Sequence, residues 1–136
     1  MGWLFLYAGF TKVINPDWSA AGYIGNAKTF SGFYNWFLRP DVLPLTNLIN
    51  EWGLTLLGVS LIFGVLVRYS AVLGSLLMLM YYFPILDFPK AGANSFIVDD
   101  HIIFILVLLY FSAAKTGEYW GVGPALNKFL RRISSR

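Results

Sequence analysis

Four apolar runs, at about residues 2–14, 48–67, 69–86 and 96–114, constrain this chain more than any other feature of its sequence. Three of them approach the length of about 20 residues that a helix needs to cross a bilayer, and the first is shorter. Of the 136 residues, 57% are hydrophobic and 12% are charged, about half the usual share of charge in a soluble domain. A soluble domain of this size cannot bury so much apolar surface. The sequence therefore predicts an all-α integral membrane protein, an antiparallel four-helix bundle.

The connection between the first two runs is long and rich in aromatic residues. Pro16 marks a helix end, and Pro40 and Pro44 close the connection before the second run. Because Trp and Tyr favour the headgroup level of a membrane, we expect residues 16–46 to form an interfacial lid of one or two short helices. Its aromatic side chains either line the site of a flat ligand or anchor the lid in lipid, and anchoring is the commoner use.

The other two connections are shorter. Residues 67–70 predict a tight helical hairpin between the second and third runs. The third connection contains Pro84, Pro89, Gly92 and Asn94, which predict irregular backbone there.

The distribution of charge predicts the orientation of the bundle. The segment 124–136 is a basic tail, and the positive-inside rule places it in the cytoplasm. Four spans then put the N-terminus and the turn at Arg68 on the same side. We therefore expect a multi-pass protein of the cell membrane with both termini cytoplasmic, in which residues 1–123 form the membrane domain.

Two counts limit the chemistry of the chain. It has no Cys, which excludes disulfides, thiolate nucleophiles and cysteine-ligated iron–sulfur clusters. It has one His, His101, which is too few for a multi-His zinc site or a bis-His haem within one chain. We therefore expect no metal or haem to be bound by this chain alone, although a partner can share His101. The net charge of +3 sits at helix ends and does not predict nucleic-acid binding.

Most titratable side chains of the apolar runs collect at the outer end of the predicted bundle. They are Lys12, Glu51, Tyr81, Tyr82, Asp99, Asp100 and His101. Charged groups in membrane helices are costly, so they usually face a bundle interior or a cavity. We predict that Glu51 and His101 face each other, with Lys12 and Asp100 within reach.

Each of these side chains also has a structural interpretation. One of Asp99 and Asp100 is expected to cap the last helix, where acids offset the helix dipole. Glu51 stands near the start of its helix and can serve the same purpose. Lys12 can extend outward to the headgroups, and His101 can be a hydrogen-bonded structural residue. Function is favoured by the coincidence of these groups at one end, and by none of them singly.

Four segments of the chain, taken in their order, form a recognisable pattern. They are GWLFLYAGFTKV, GYIGNAKTFSGFYNWF, NEWGLTLLGVSLIFGVLVRYSAVLGSLLMLMYYFP and DDHIIFILVLLYFSAAKTGEYWGVG. Together they resemble the DoxX/DoxD family of small four-helix membrane proteins. Members of that family are named for a terminal quinol oxidase and for the small subunit of a thiosulfate:quinone oxidoreductase. The resemblance implies quinone-linked redox work in an archaeal or bacterial membrane. The recurring polar positions of the family match Lys12, Glu51, Arg68, Asp100 and His101.

The leading hypothesis is a membrane subunit of a quinone-dependent oxidoreductase, with quinone as its cofactor. In it Glu51 and His101 are the catalytic residues, and Lys12, Tyr81, Tyr82 and Asp100 bind the quinone. The alternative is a non-catalytic subunit that anchors or stabilises a larger energy-conversion complex. A transporter ranks last, because no charged or strongly polar residue lies in the middle of the last three runs. In either leading case the partners are membrane lipid and other membrane subunits.

Overall fold

The computed structural model describes residues 1–93, 95–114, 116–117 and 121. The basic tail at 124–136 and Asn94 lie outside these described residues. The long helices are α1 (Gly2–Val13), α4 (Leu43–Phe63), α5 (Val67–Ile85) and α6 (Asp100–Ala113), and the short ones are α2 (Ala21–Gly25) and α3 (Ser31–Trp36). The strands are β1 (Leu86–Asp87), β2 (Lys90–Ala91) and β3 (Ser95–Phe96). The prediction of a mostly helical chain is therefore confirmed.

Helices α1 and α4 run antiparallel in close contact, because glycines remove the side chains that would separate them. Gly2 lies against Ile62, and Gly9 lies against Thr55 seven residues earlier in α4. A Cβ atom at Gly58 would collide with the backbone of Leu6. Small residues at such contacts let two helix backbones approach closely.

One hydrophobic core draws side chains from all four long helices. Its buried members are Phe5, Leu54, Leu57, Ala71, Met78 and Leu108. The outer faces of the same helices are apolar and exposed, with Trp3 at 69% and Leu106 at 62% of full exposure. Of the described helices, α4 alone is both long and apolar enough to cross a membrane on those two criteria, whereas α6 is apolar but has 14 residues.

Two boundaries differ from the sequence prediction around α4 and α5. Helix α4 begins at Leu43, five residues earlier than expected, because Pro44 lies in its first turn, where a missing N–H costs nothing. The hairpin is formed by Gly64 to Leu66, and residues 67–70 already belong to α5. Both Gly64 (φ 67°) and Leu66 (φ 54°) adopt the left-handed conformation. The Ser60 and Ser70 hydroxyls join across it at 2.6 Å.

The third connection contains a small three-stranded antiparallel sheet, which the all-α prediction missed. Leu86 pairs with Ala91 in β1 and β2, and Ala91 pairs with Ser95 in β2 and β3. Each strand has two residues, too few to show a hydrophobic alternation in the sequence. The sheet links the C-terminal end of α5 to the start of α6.

Candidate functional site

A cavity of about 320 Å³ lies under α2 and α3, where one end of each long helix meets the others. We call it the lid cavity. It is lined by Lys12, Trp18, Ser19, Ala20, Tyr23, Ile24, Tyr34, Phe37, Thr46, Asn50, Met80, Tyr81, Pro84 and His101. Its volume is at the lower end of the range for small-molecule sites, about 300–1,000 Å³. The expected lid of two short helices therefore covers a space large enough for a ligand.

The lid is hydrogen-bonded to α5 at a backbone carbonyl that a proline leaves without its helical donor. Pro84 lies inside α5 and has no N–H to donate, so the carbonyl of Met80, four residues earlier, lacks its usual helical partner. The hydroxyl of Tyr34 donates to that carbonyl at 3.0 Å, and Tyr34 is buried. The hydroxyl of Tyr23 donates to the next carbonyl, that of Tyr81, at 2.5 Å. These two lid aromatics therefore make specific hydrogen bonds to the helix.

Further hydrogen bonds close the lid at both edges. The backbone N–H of Lys28 donates to the carbonyl of Pro84 at 3.0 Å, and the Thr29 hydroxyl donates to that of Leu86 at 2.5 Å. On the opposite side the N–H of Ala20 donates to the Asn47 side chain at 2.9 Å. The lid thus joins α4 to the end of α5, and the cavity lies between these attachments.

Burial raises the pKa of the Tyr23 hydroxyl to about 12, with a smaller contribution from the Asp99 carboxylate. Burial also raises the pKa of Tyr34. Both phenols therefore stay protonated at neutral pH, as their role as hydrogen-bond donors requires.

His101 is held by an aspartate at the start of its own helix. Asp99 is the N-cap of α6, and its Oδ1 accepts from the N–H of Ile102 at 3.3 Å. Its Oδ2 lies 2.5 Å from Nδ1 of His101. Asp99 is 8% exposed, whereas Asp100 beside it is exposed. Because Nδ1 is engaged, Nε2 is the ring nitrogen left for another partner.

A second polar group lies across the cavity on α4 and α5. The Tyr81 hydroxyl donates to Oδ1 of Asn50, and Nδ2 of Asn50 donates to the carbonyl of Thr46 at 2.7 Å. The ring of His101 packs edge-on against Tyr81, with centroids 5.9 Å apart. Asn50 is 7% exposed, and within the described part of the chain no buried side-chain polar atom lacks a hydrogen-bond partner.

Lys12 provides the positive charge of the lid cavity. Its Nζ donates to the carbonyl of Ala8 at 3.1 Å and lies 5.3 Å from the centre of the Trp18 ring. The ammonium has three donors, so this contact leaves others for a bound acceptor. The ion pairs within 4.0 Å among the described residues do not include Lys12.

The lid cavity brings together three of the six predicted site residues, Lys12, Tyr81 and His101. The other three do not line it. Asp100 is exposed, and the Tyr82 hydroxyl donates to the carbonyl of Ile97 at 2.5 Å.

Glu51 is half-buried, and it is Asn50, the residue before it, that lines the cavity. Successive residues of a helix point about 100° apart, which turns Glu51 away from that wall. The hydrogen bonds and ion pairs of the described residues contain no link between Glu51 and His101, whose Nδ1 faces Asp99 instead. The catalytic roles of Glu51 and His101 stay predictions.

Three residues that shape the site were not predicted from the sequence, namely Tyr23, Tyr34 and Asn50. Asp99 was one of two candidates for the cap of the last helix, which the structure confirms, but its pairing with His101 was not predicted. For Asn50 a signal was present, since a buried amide in an apolar helix needs a partner. For the lid tyrosines no local signal exists, because their acceptors lie 58 and 46 residues along the chain.

Comparison with known proteins gives one match. A family model described as DoxX matches residues 1–85, more than half of the chain. The matched region contains the lid and α4, and it ends before His101. It confirms the resemblance noted from the sequence. Neither a curated protein nor a solved structure matches the chain.

Proposed function

The chain belongs to the DoxX family, and from that premise we propose that it is a multi-pass membrane protein that binds the head of a quinone in the lid cavity. Its role is in quinone-dependent redox chemistry, of the thiosulfate:quinone oxidoreductase type or a related respiratory type. The observation that carries this proposal is the lid cavity, which combines aromatic walls with Lys12 and with a histidine held by aspartate.

Family membership and the apolar helix α4 indicate a membrane protein. Two observations support several crossings. The core that buries Leu54 and Leu57 of α4 also contains residues of α1, α5 and α6, so these helices share its depth. Their outward faces carry exposed apolar side chains, as lipid contact requires. The charge pattern then favours both termini on the cytoplasmic side.

The residues of the lid cavity fit a quinone head. Such a head is a flat ring with two carbonyl acceptors, so it needs an apolar slot and hydrogen-bond donors. Trp18, Tyr34 and Phe37 supply aromatic walls, and Lys12 and His101 supply donors. A bound quinone would supply a redox couple of two electrons and two protons.

Asp99 and His101 are the groups of this chain best placed to handle a proton. The buried Asp99 side chain fixes the histidine ring through Nδ1, which leaves Nε2 to exchange a proton with a bound quinone. Glu51, half-buried beside Asn50, is a second titratable group near the cavity wall. In this proposal it exchanges protons with the outer medium. Electrons come from another subunit or a soluble donor, because the sequence offers neither Cys nor a second His for a redox centre.

The wide exposed apolar faces favour the alternative of a non-catalytic subunit in a larger complex. Helices of partner subunits would cover these faces, and the lid cavity would then hold a structural lipid. The two proposals differ in whether a quinone head binds saturably and specifically in the cavity.

Binding of a tail-less quinone to the full chain in nanodiscs tests the proposal. Lys12→Met and His101→Gln should each weaken binding by about tenfold or more, since a hydrogen bond to a charged group contributes about 1.5–3 kcal/mol. Lys90→Met is the matched control, because Lys90 is exposed on β2, away from the cavity. Equal affinity in all four proteins, or no saturable binding, would contradict the proposal.

A further inference from the structure

A second, apolar space of about 720 Å³ lies between α4 and α5, which we call the α4–α5 groove. It extends from Ile49 and Met80 near the lid to Leu66 at the hairpin. From Ile49 to the end of α4 at Phe63 the helix rises about 20 Å. The groove therefore follows most of the length of the bundle.

Two glycines line the groove, Gly53 on α4 and Gly74 on α5. Gly74 lies in close contact with Leu57 of α4, whereas the groove is open at Gly53. A Cβ atom at Gly53 would find its nearest neighbour, a methyl group of Leu77, at 3.8 Å. At Gly58, on the α1 side of the same helix, the added atom would collide with the backbone of Leu6. The α1 side of α4 is thus in close contact at Gly58, whereas the α5 side leaves space at Gly53.

The groove and the lid cavity meet at one side chain. Met80 lines both spaces. Methionine is flexible and adapts to irregular neighbours, so a chain of methylene groups can pass beside it at small cost. A cavity with hydrogen-bonding groups among aromatic walls and a long apolar groove are therefore adjacent.

We propose that the α4–α5 groove binds the isoprenoid tail of the quinone whose head lies in the lid cavity. This inference rests on the proposed function and adds a second subsite to it. A molecule with a polar head and a long flexible apolar tail fills both spaces at once, with Met80 at the joint. A second copy of the chain or a phospholipid would cover the groove without using its continuity with the cavity.

The test measures the affinity of the full chain for quinones that carry zero, one, two or three isoprenoid units. In the wild type the three-unit tail should improve affinity by about tenfold through its packing contacts. Gly53→Leu should abolish that gain and leave the affinity of the tail-less quinone unchanged, because it fills the groove without touching the lid. Gly53→Ala is the matched control, since it also replaces the glycine but adds only a methyl group, which leaves the groove open.

A second variant shows whether a folding defect of Gly53→Leu is the cause of the lost gain. Leu73→Trp adds bulk at an exposed groove residue and leaves the glycine intact. Leu106→Trp adds the same bulk on α6, outside the groove, and should keep the tail-length gain. Loss of the tail-length gain in Leu73→Trp but not in Leu106→Trp supports the proposal.

The other outcomes separate this inference from the proposed function. If the tail-less quinone fails to bind, the proposed function fails and the tail site fails with it. If the tail-less quinone binds normally but Gly53→Leu keeps the tail-length gain, only the tail site is overturned. Native mass spectrometry tests the two other possible occupants of the groove, a phospholipid and a second copy of the chain. A phospholipid lost in Gly53→Leu but not displaced by quinone, or a dimer converted to monomer by that variant, would also overturn it.

Discussion

The two ends of the helix bundle are both closed by hydrogen bonds, but those bonds hold different parts of the chain. At the hairpin end Ser60 pairs with Ser70, and the hydroxyl of Ser112 in α6 donates to the carbonyl of Arg68 in α5. At the lid end Tyr34 and Tyr23 donate to carbonyls of α5 that are 46 and 58 residues away. The bonds at the hairpin end join the turn and the ends of neighbouring long helices, whereas those at the lid end hold a separate segment over a cavity. The lid end is therefore the end at which a ligand can be enclosed.

The ends also differ in their polar side chains. The serines at the hairpin satisfy each other and the carbonyl of Val65. The lid cavity instead contains two groups with further hydrogen-bonding capacity. The Lys12 ammonium has three donors and contacts the carbonyl of Ala8, and the pairing of His101 with Asp99 uses Nδ1 and not Nε2. Unused donors beside aromatic walls are what distinguishes the site from a structural contact.

The strongest predicted effect is at Gly58, in the part of α4 toward the hairpin end, where α1 lies in close contact. Gly58→Leu should lower the free energy of unfolding by about 3 kcal/mol or more, because the new side chain forces α1 away from α4. Thermal unfolding in detergent measures the loss. Gly53→Ala, where the added methyl group has room, should leave the free energy of unfolding unchanged or raise it by up to about 1 kcal/mol. Equal stability of the two variants would refute the close contact at Gly58.

The second effect concerns the pairing at the start of α6. Asp99→Asn keeps a capping oxygen but removes the carboxylate beside His101, so quinone-linked turnover should fall by about a hundredfold. Its pH profile should also change, whereas loss of the cap alone would leave that profile unmoved. Asp100→Asn, at an exposed neighbour, is the control and should change turnover little. Identical profiles for both variants would mean that Asp99 only caps the helix.

The third effect tests the attachment of the lid. Tyr34→Phe should destabilise the lid by about 1 kcal/mol, since the carbonyl of Met80 loses its donor. Hydrogen exchange of the backbone amides of α2 and α3 should become faster, while exchange at the hairpin stays unchanged. Tyr7→Phe, at an exposed tyrosine of α1, provides the comparison. Unchanged exchange in the lid would show that the hydroxyl does not hold it.

The same attachment predicts a response to alkaline pH. The pKa of Tyr23 rises from 10.0 to about 12 in the folded protein, so folding favours the protonated phenol. Its contribution is complete below pH 10 and is lost as the pH rises toward 12. Lid protection, which is the intrinsic base-catalysed exchange rate divided by the measured rate at each pH, should fall across this interval in the wild type and change less in Tyr23→Phe. A steeper response in the variant would contradict the assignment.

The smallest expected effect is at Glu51, which lies beside the cavity wall and does not line it. Glu51→Gln keeps the shape and removes the titrating group, so quinone-linked turnover should fall a few-fold while the bundle stays folded. If Glu51 has a structural role, the same variant should instead change the thermal stability and leave turnover alone. Measuring both quantities on one preparation distinguishes the two roles.

The sequence predicted the long helices and the end at which the polar groups gather, because these follow from apolar runs and from positions along them. It placed the lid correctly between α1 and α4, since its prolines and aromatic residues interrupt the helical pattern. Depth along a helix was thus predictable from residue number alone.

Rotation about the helix axis was not predictable in the same way. Asn50 and Glu51 share a depth, but only one of them lines the cavity. The distribution of apolar residues around α4 does not indicate which face points inward. They occur on nearly all its sides, as in a helix that contacts lipid and not water. The pairing of His101 with Asp99 and the docking of Tyr34 on Met80 depend on tertiary contacts. Two-residue strands also leave no readable pattern.

Photoaffinity labelling tests the quinone site most directly. A tail-less azidoquinone would be cross-linked to the full chain in nanodiscs, and the labelled residues would be identified by mass spectrometry with and without excess unlabelled quinone. We expect label on lid-cavity residues such as Trp18, Tyr81 and His101, and we expect the competitor to remove it. Label confined to the outward faces of α1 and α6, unaffected by competitor, would contradict it.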